Sequence, residues 1–148
     1  MAVRDTLVWL QGTPVAHAIS KSHHLVGAGL QVVHIIGFVA LLAAATLLAL
    51  RRFGLVLPGT SRERVEREIG RILWLGLGLA VLSGMLMFVS APLLYFYNKA
   101  FEWKVALLAV AVVVQWLLFR TTNRNLGVAA SLALWFSVGI AGRAIGFV

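Results

Sequence analysis

Four apolar runs constrain this chain more than any other feature: about 25–50, 72–91, 101–119 and 126–148. A helix rises about 1.5 Å per residue, so about 20 apolar residues cross the hydrocarbon core of a bilayer. The first, second and fourth runs reach that length, and the third completes its crossing with Phe101, Trp103 and the stem of Lys104. The chain is 61% hydrophobic and 12% charged, against about 45–50% and about 25% in soluble domains. A 148-residue chain of this composition has too little polar surface to cover a water-soluble core. The expected fold is all-α, an integral membrane four-helix up-and-down bundle over residues 22–148. Residues 1–21 are expected to form an N-terminal interfacial amphipathic segment, broken at Gly12-Thr13-Pro14 and anchored by Trp9.

The net charge of +8 does not indicate nucleic acid, because its positions follow the spans. Arg51, Arg52, Arg62, Arg64, Arg67, Arg71, Arg120 and Arg124 fall on one face of the expected bundle; Arg4, Lys21, Lys99, Lys104 and Arg143 fall on the other. Basic residues beside spans set topology and meet lipid headgroups. The bias puts the arginine-rich loops in the cytoplasm and both termini in the periplasm of a multi-pass protein of the bacterial inner membrane. The loop "PGTSRERVEREIGR" has the marks of a helix start, with Thr60 or Ser61 as cap and Glu63 and Arg67 four apart on a solvated face. It reads as an extension of the second span.

No cysteine is present, which excludes disulfides and thiolate-bound clusters. The ionisable residues inside the spans are therefore the functional candidates. His34 sits in "GLQVVHIIGFVALL", close to the middle of the first span, and His23 lies eleven residues before it. That spacing returns to nearly the same helix face, about 16 Å away along the axis, with Gly27 between them. Lys104 and Arg143 open the third span and close the fourth on the side of His23, with Glu102 as a local counter-charge. They can snorkel to the headgroups or form a positive pocket for haem propionates, a quinone carbonyl or a lipid phosphate.

Three chemistries suit such residues. A b-type haem takes axial histidines from two helices, yet all four histidines precede residue 35. A haem on His34 would need a second protomer, or Met85, Met87 or Lys104 as the other ligand. A quinone would use His34 or His23 to exchange a proton. A metal ion would draw on His17, His23 and His24, although the adjacent pair point about 100° apart on a helix. The structural alternative is a neutral His34 hydrogen-bonded to another span. The glycines of spans two and four, Gly142 and Gly146 among them, suit close helix packing, a homodimer seam or a flat cofactor face.

The stretches "HIIGFVALLAAATLLALRRFGL", "LGLAVLSGMLMF", "NKAFEWKVALL" and "SLALWFSVGIAGRAIGF" resemble a bacterial domain-of-unknown-function family of small four-span membrane proteins. The matching positions are His34, Gly37, Ser83, Gly84, Phe88, Asn98, Phe101, Lys104, Trp135, Gly142 and Arg143. The acidic residue that often precedes the basic end of span one in that family is absent, since Leu48, Ala49 and Leu50 stand before Arg51. The resemblance implies a fold and a residue set, and no reaction. More distantly, the chain is similar to small membrane haem-binding protoporphyrinogen oxidases and copper-resistance D-type proteins. The resulting expectation is a membrane-embedded redox or haem-associated protein, with haem b or quinone held by His34, His23, Lys104 and Arg143. The alternative is a non-catalytic anchor or accessory subunit of a larger membrane complex.

Overall fold

The computed structural model describes residues 3–21, 24–120 and 125–147. They form seven helices and, among the described residues, no strand. Four helices are long and apolar enough to cross a membrane: α3 (His24–Arg52), α4 (Arg62–Ser90), α6 (Lys99–Arg120) and α7 (Asn125–Ala144). Two short helices precede them, α1 (Val3–Gln11) and α2 (Pro14–Lys21), and a third, α5 (Pro92–Phe96), joins α4 to α6. The bundle is built as two antiparallel pairs, α3 on α4 and α6 on α7, joined chiefly through α3 and α7. Its outer surface carries exposed Ile35, Val39, Leu75, Leu82 and Ile140. Water would penalise such a surface, and lipid tails accept it. This is a multi-span membrane protein in contact with the bilayer.

Local signals account for the helix ends. Ser61 caps α4, its side chain accepting from the Arg64 amide, so the polar loop and the second span are one continuous helix. The capping-box register is not used, because the third residue after Ser61 is Arg64 and not a glutamate. Pro92 starts α5, where its missing N–H costs nothing. Asn98 caps α6: its Oδ1 accepts from the Phe101 amide at 3.2 Å. Its Nδ2 donates to Ile145 O at 3.3 Å, which ties the start of α6 to the turn after α7.

The two amino-terminal helices lie against the bundle, α1 beside α5 and α2 beside α4. Each turns one small or apolar side chain inward, Leu7 and Ala16, and leaves Val8, Trp9 and Val15 exposed. The break between the two helices falls at Gly12 and Thr13. Thr13 serves the break, its Oγ1 donating to Leu10 O at 2.8 Å and accepting from the Ala16 amide at 3.3 Å.

Polar groups inside the bundle are paired across helices. Gln115 Oε1 accepts from Ser131 Oγ at 2.8 Å and from Trp135 Nε1 at 3.1 Å, fastening α6 to α7 in the core. At the arginine-rich end, Arg52 does not reach for headgroups. Its side chain is only 10% exposed and lies 3.2 Å from Glu66, while its Nη2 donates to Leu118 O at 2.7 Å. That carbonyl belongs to the last turn of α6, which has no intrahelical donor and favours a cation. Arg62 holds the same Glu66 oxygen at 3.0 Å. The ion pairs of this helix thus run through Glu66, and through Glu68 with Arg71, instead of Glu63 with Arg67. Glu66 faces α3 and gains a partly buried partner there.

Candidate functional site

The site begins with two glycines. A Cβ on Gly37 of α3 would lie 2.8 Å from Ala80 N and 2.9 Å from Gly76 O; one on Gly76 of α4 would lie 2.7 Å from Gly37 O. Only hydrogen fits at either position, so the two backbones touch. One turn from this crossing, His34 Nδ1 lies 2.7 Å from Ala80 O and 3.2 Å from Ser83 Oγ. A carbonyl oxygen can only accept, so Nδ1 carries the proton. The Ser83 hydroxyl donates to Leu79 O at 2.7 Å and is left to accept from the ring. Gly84 gives the imidazole room: a Cβ there would come within 3.1 Å of its Cε1.

The other ring nitrogen faces α6. Lys104 Nζ lies 3.3 Å from His34 Nε2. Its chain crosses α7 at Gly142, where a Cβ would meet Cε and Nζ at 3.4 Å. Lys104 therefore extends inward and does not snorkel to the surface. His34 lies about 15 Å along α3 from its first residue, and Lys104 about 8 Å into α6. A hydrogen bond here needs a lone pair on one nitrogen, and with Nδ1 protonated that lone pair is on Nε2, which accepts from Lys104 Nζ. Hydrogen bonds and side-chain contacts at this point link all four spans: His34 from α3, Ala80 and Ser83 from α4, Lys104 from α6 and Gly142 from α7.

The remaining candidates fall elsewhere. Arg143 is exposed and stacks its guanidinium on Phe147, 4.3 Å from the ring centroid. Glu102 pairs with Lys99 at 2.9 Å on an exposed face, so no carboxylate among the described residues pairs with Lys104. Met85 is 60% exposed on the outer face of α4. His17 is exposed on α2, and His23 lies outside the described residues. Among the described residues no three His, Cys, Asp or Glu side chains gather as a metal site would require. Iron ligation by His34 would require Nε2 to exchange Lys104 for the metal.

Compared with known protein families, characterised proteins and solved structures, the chain matches none.

The quoted sequence elements nonetheless converge in space. Gly37, Ser83 and Gly84 surround His34. Phe88 stacks on Phe101, their centroids 5.5 Å apart and their planes within 11°, joining the end of α4 to the start of α6. Two features of the site are not legible in the sequence: the Gly37–Gly76 contact and the direct bond between Lys104 and His34. Gly76 was visible as a small residue in span two, but nothing in one sequence pairs it with Gly37.

Above the pair, α3 is open. Leu25, Val26, Gly27, Ala28, Gly29, Gln31, Val32 and Val33 are all exposed. A Cβ on Gly27 or Gly29 would meet nothing within 4 Å. A flat apolar molecule in the bilayer can lie along this stretch and bring a polar edge to the level of Gln31, His34 and Lys104.

Proposed function

We propose that this is a redox-linked membrane protein whose His34–Lys104 pair binds the carbonyl edge of a quinone-type lipid and exchanges a proton with it. The observation that carries the reading is the 3.3 Å contact between Lys104 Nζ and His34 Nε2. Both ring nitrogens of His34 are engaged in hydrogen bonds, an arrangement suited to moving a proton and not to binding a metal. When bound, a quinone supplies two-electron, two-proton redox chemistry, with electrons from a donor outside this chain.

Within the site, Lys104 has ammonium hydrogens beyond the one given to His34, and these are donors for a carbonyl oxygen. His34, anchored through Nδ1 on Ala80 O, holds Lys104 in place and takes or returns the shared proton through Nε2. The open first turns of α3 admit the ring from the lipid. In this reading the protein sits in a bacterial inner membrane, with the arginine-rich end in the cytoplasm and both termini periplasmic. Exposed Arg64, Arg67, Arg71 and Arg120 at that end support the orientation.

The same open stretch of α3 supports a second reading, a non-catalytic subunit whose exposed helix packs against a homodimer partner or a larger membrane complex. Organic extraction and an absorption spectrum of the detergent-purified protein separate the readings. A quinone in the extract and no Soret band fit the proposal. A Soret band that disappears in His34→Ala points to haem, and a colourless, quinone-free protein that co-purifies with a defined larger complex points to the subunit.

A further inference from the structure

At the arginine-rich end the outer surface of the bundle carries a seam between α4 and α6. The backbones of these two helices stay apart along most of their length, and Phe119 of α6 closes the gap near this end. Its ring lies against Gly70 of α4, where a Cβ would meet it at 3.2 Å. It also lies against Trp74, with ring centroids 6.0 Å apart.

The two helices run antiparallel, since the start of α4 meets the end of α6 here while Phe88 meets Phe101 at the other end. Residues flanking the contact therefore turn to matching sides of the seam. Ile69 and Leu118, just before it, face the core. Arg71 and Arg120, just after it, are exposed and lie about 100° further round each helix. Both arginines thus flank the seam on its lipid side.

Their donors are largely unspent. Arg120 stacks its guanidinium face on exposed Trp116, 4.2 Å from the ring centroid, which leaves the N–H edge to donate. Among the described residues neither Arg120 nor Arg67, one turn before Arg71, has a carboxylate partner. Arg71 meets only Glu68, at 3.4 Å with both side chains more than half exposed, a pairing of little worth. Deeper along the seam the surface turns apolar and open. A Cβ on Gly78 would meet nothing within 4 Å, and Val113 of α6 is exposed.

We propose that this seam binds one anionic phospholipid, with its phosphate between Arg71 and Arg120 and an acyl chain along Gly78 and Val113. Guanidinium edges match phosphate oxygens in charge and geometry, and basic sites between spans favour anionic headgroups. Trp74 and Trp116 stand beside the arginines, at the headgroup level where indoles are favoured. A soluble anion would leave the apolar part of the seam unused, and a zwitterionic headgroup brings its own cation against the arginines.

The test uses the full chain in phosphatidylcholine vesicles carrying a small, varied fraction of brominated lipid, which quenches tryptophan on contact. Brominated phosphatidylglycerol is expected to quench along a saturating curve, at a several-fold lower mole fraction than brominated phosphatidylcholine. Arg71→Gln combined with Arg120→Gln is expected to bring the two curves together. Arg143→Gln, at the other end of the bundle, is expected to keep them apart. Trp74→Phe combined with Trp116→Phe keeps the arginines but removes the reporters, and is expected to lose the excess quenching. Coincident curves for the native protein would overturn the proposal. So would a preference that survives undiminished in either double variant, because the lipid would then lie elsewhere. A preference that Arg143→Gln abolishes as fully as the arginine double variant would overturn it too, because it would follow net charge alone.

Discussion

Lys104 Nζ lies 3.3 Å from His34 Nε2, although the two residues come from spans that otherwise barely meet. The tautomer of His34 is fixed from the other side of the ring, by the carbonyl of Ala80. With Nδ1 donating to Ala80 O, the ¹⁵N spectrum of His34 should show a protonated Nδ1 and an unprotonated, hydrogen-bonded Nε2. Lys104→Met should shift Nε2 toward a free imidazole nitrogen and leave Nδ1 in place. An Nε2-protonated ring in the native protein would contradict the assignment.

The glycines of α4 are not equivalent. Gly76 meets Gly37 O and Leu41 N within 2.8 Å of a Cβ, whereas Gly78 meets nothing within 4 Å. Gly76→Ala should destabilise by about 1–3 kcal/mol through overpacking at the crossing. Gly78→Ala should be neutral or should stabilise by about 0.5–1 kcal/mol, the helix-propensity difference. Unfolding in mixed micelles measures both. Equal effects would mean that the backbones do not touch at Gly76.

Two ion pairs offer a second contrast. Arg52 is 10% exposed beside Glu66, whereas Lys99 and Glu102 are 76% and 50% exposed. Glu66→Gln should cost about 2–3 kcal/mol, because it strands a nearly buried guanidinium. Glu102→Gln should cost about 0–1 kcal/mol. The same denaturation assay ranks them, and a reversed order would displace Arg52 from its structural role.

Asn98 acts on the site at a distance. It caps α6 and holds Ile145 O, thereby setting the height of Lys104. Asn98→Ala should cost about 1 kcal/mol and weaken ligand binding at Lys104. Asn98→Asp, which keeps the cap and loses the donor to Ile145, should retain the helix start and lose the tie to α7. Amide exchange at Phe101 and Ile145 distinguishes the two effects.

These residues show what one sequence makes legible. The four spans follow from length and apolar content, and the break at Gly12–Pro14 and the fusion of the polar loop with span two follow from Pro14 and Ser61. Rotation about each helix axis does not follow. Spans that are apolar on every side carry no phase to say which face meets a neighbour. Thus Lys104 and Arg143 look alike in sequence, each basic near the same end of a span, yet one points to His34 and the other to solvent. The difference lies in direction: Lys104 passes Gly142 of α7 on its way inward, while Arg143, one residue on, projects from another face and finds Phe147. Asn98 illustrates a partial signal: its spacing to Phe101 and Lys104 was visible, but not its grip on Ile145.

The central claim is that the His34–Lys104 pair receives a lipid-borne carbonyl. The most direct measurement is a titration of the protein in nanodiscs with a short-tailed ubiquinone analogue, read by tryptophan fluorescence, for the native chain, Lys104→Met and Arg143→Gln. Saturable binding that is lost in Lys104→Met and retained in Arg143→Gln is the predicted result. Absence of saturable binding to the native protein, or binding unchanged by Lys104→Met, would contradict the account.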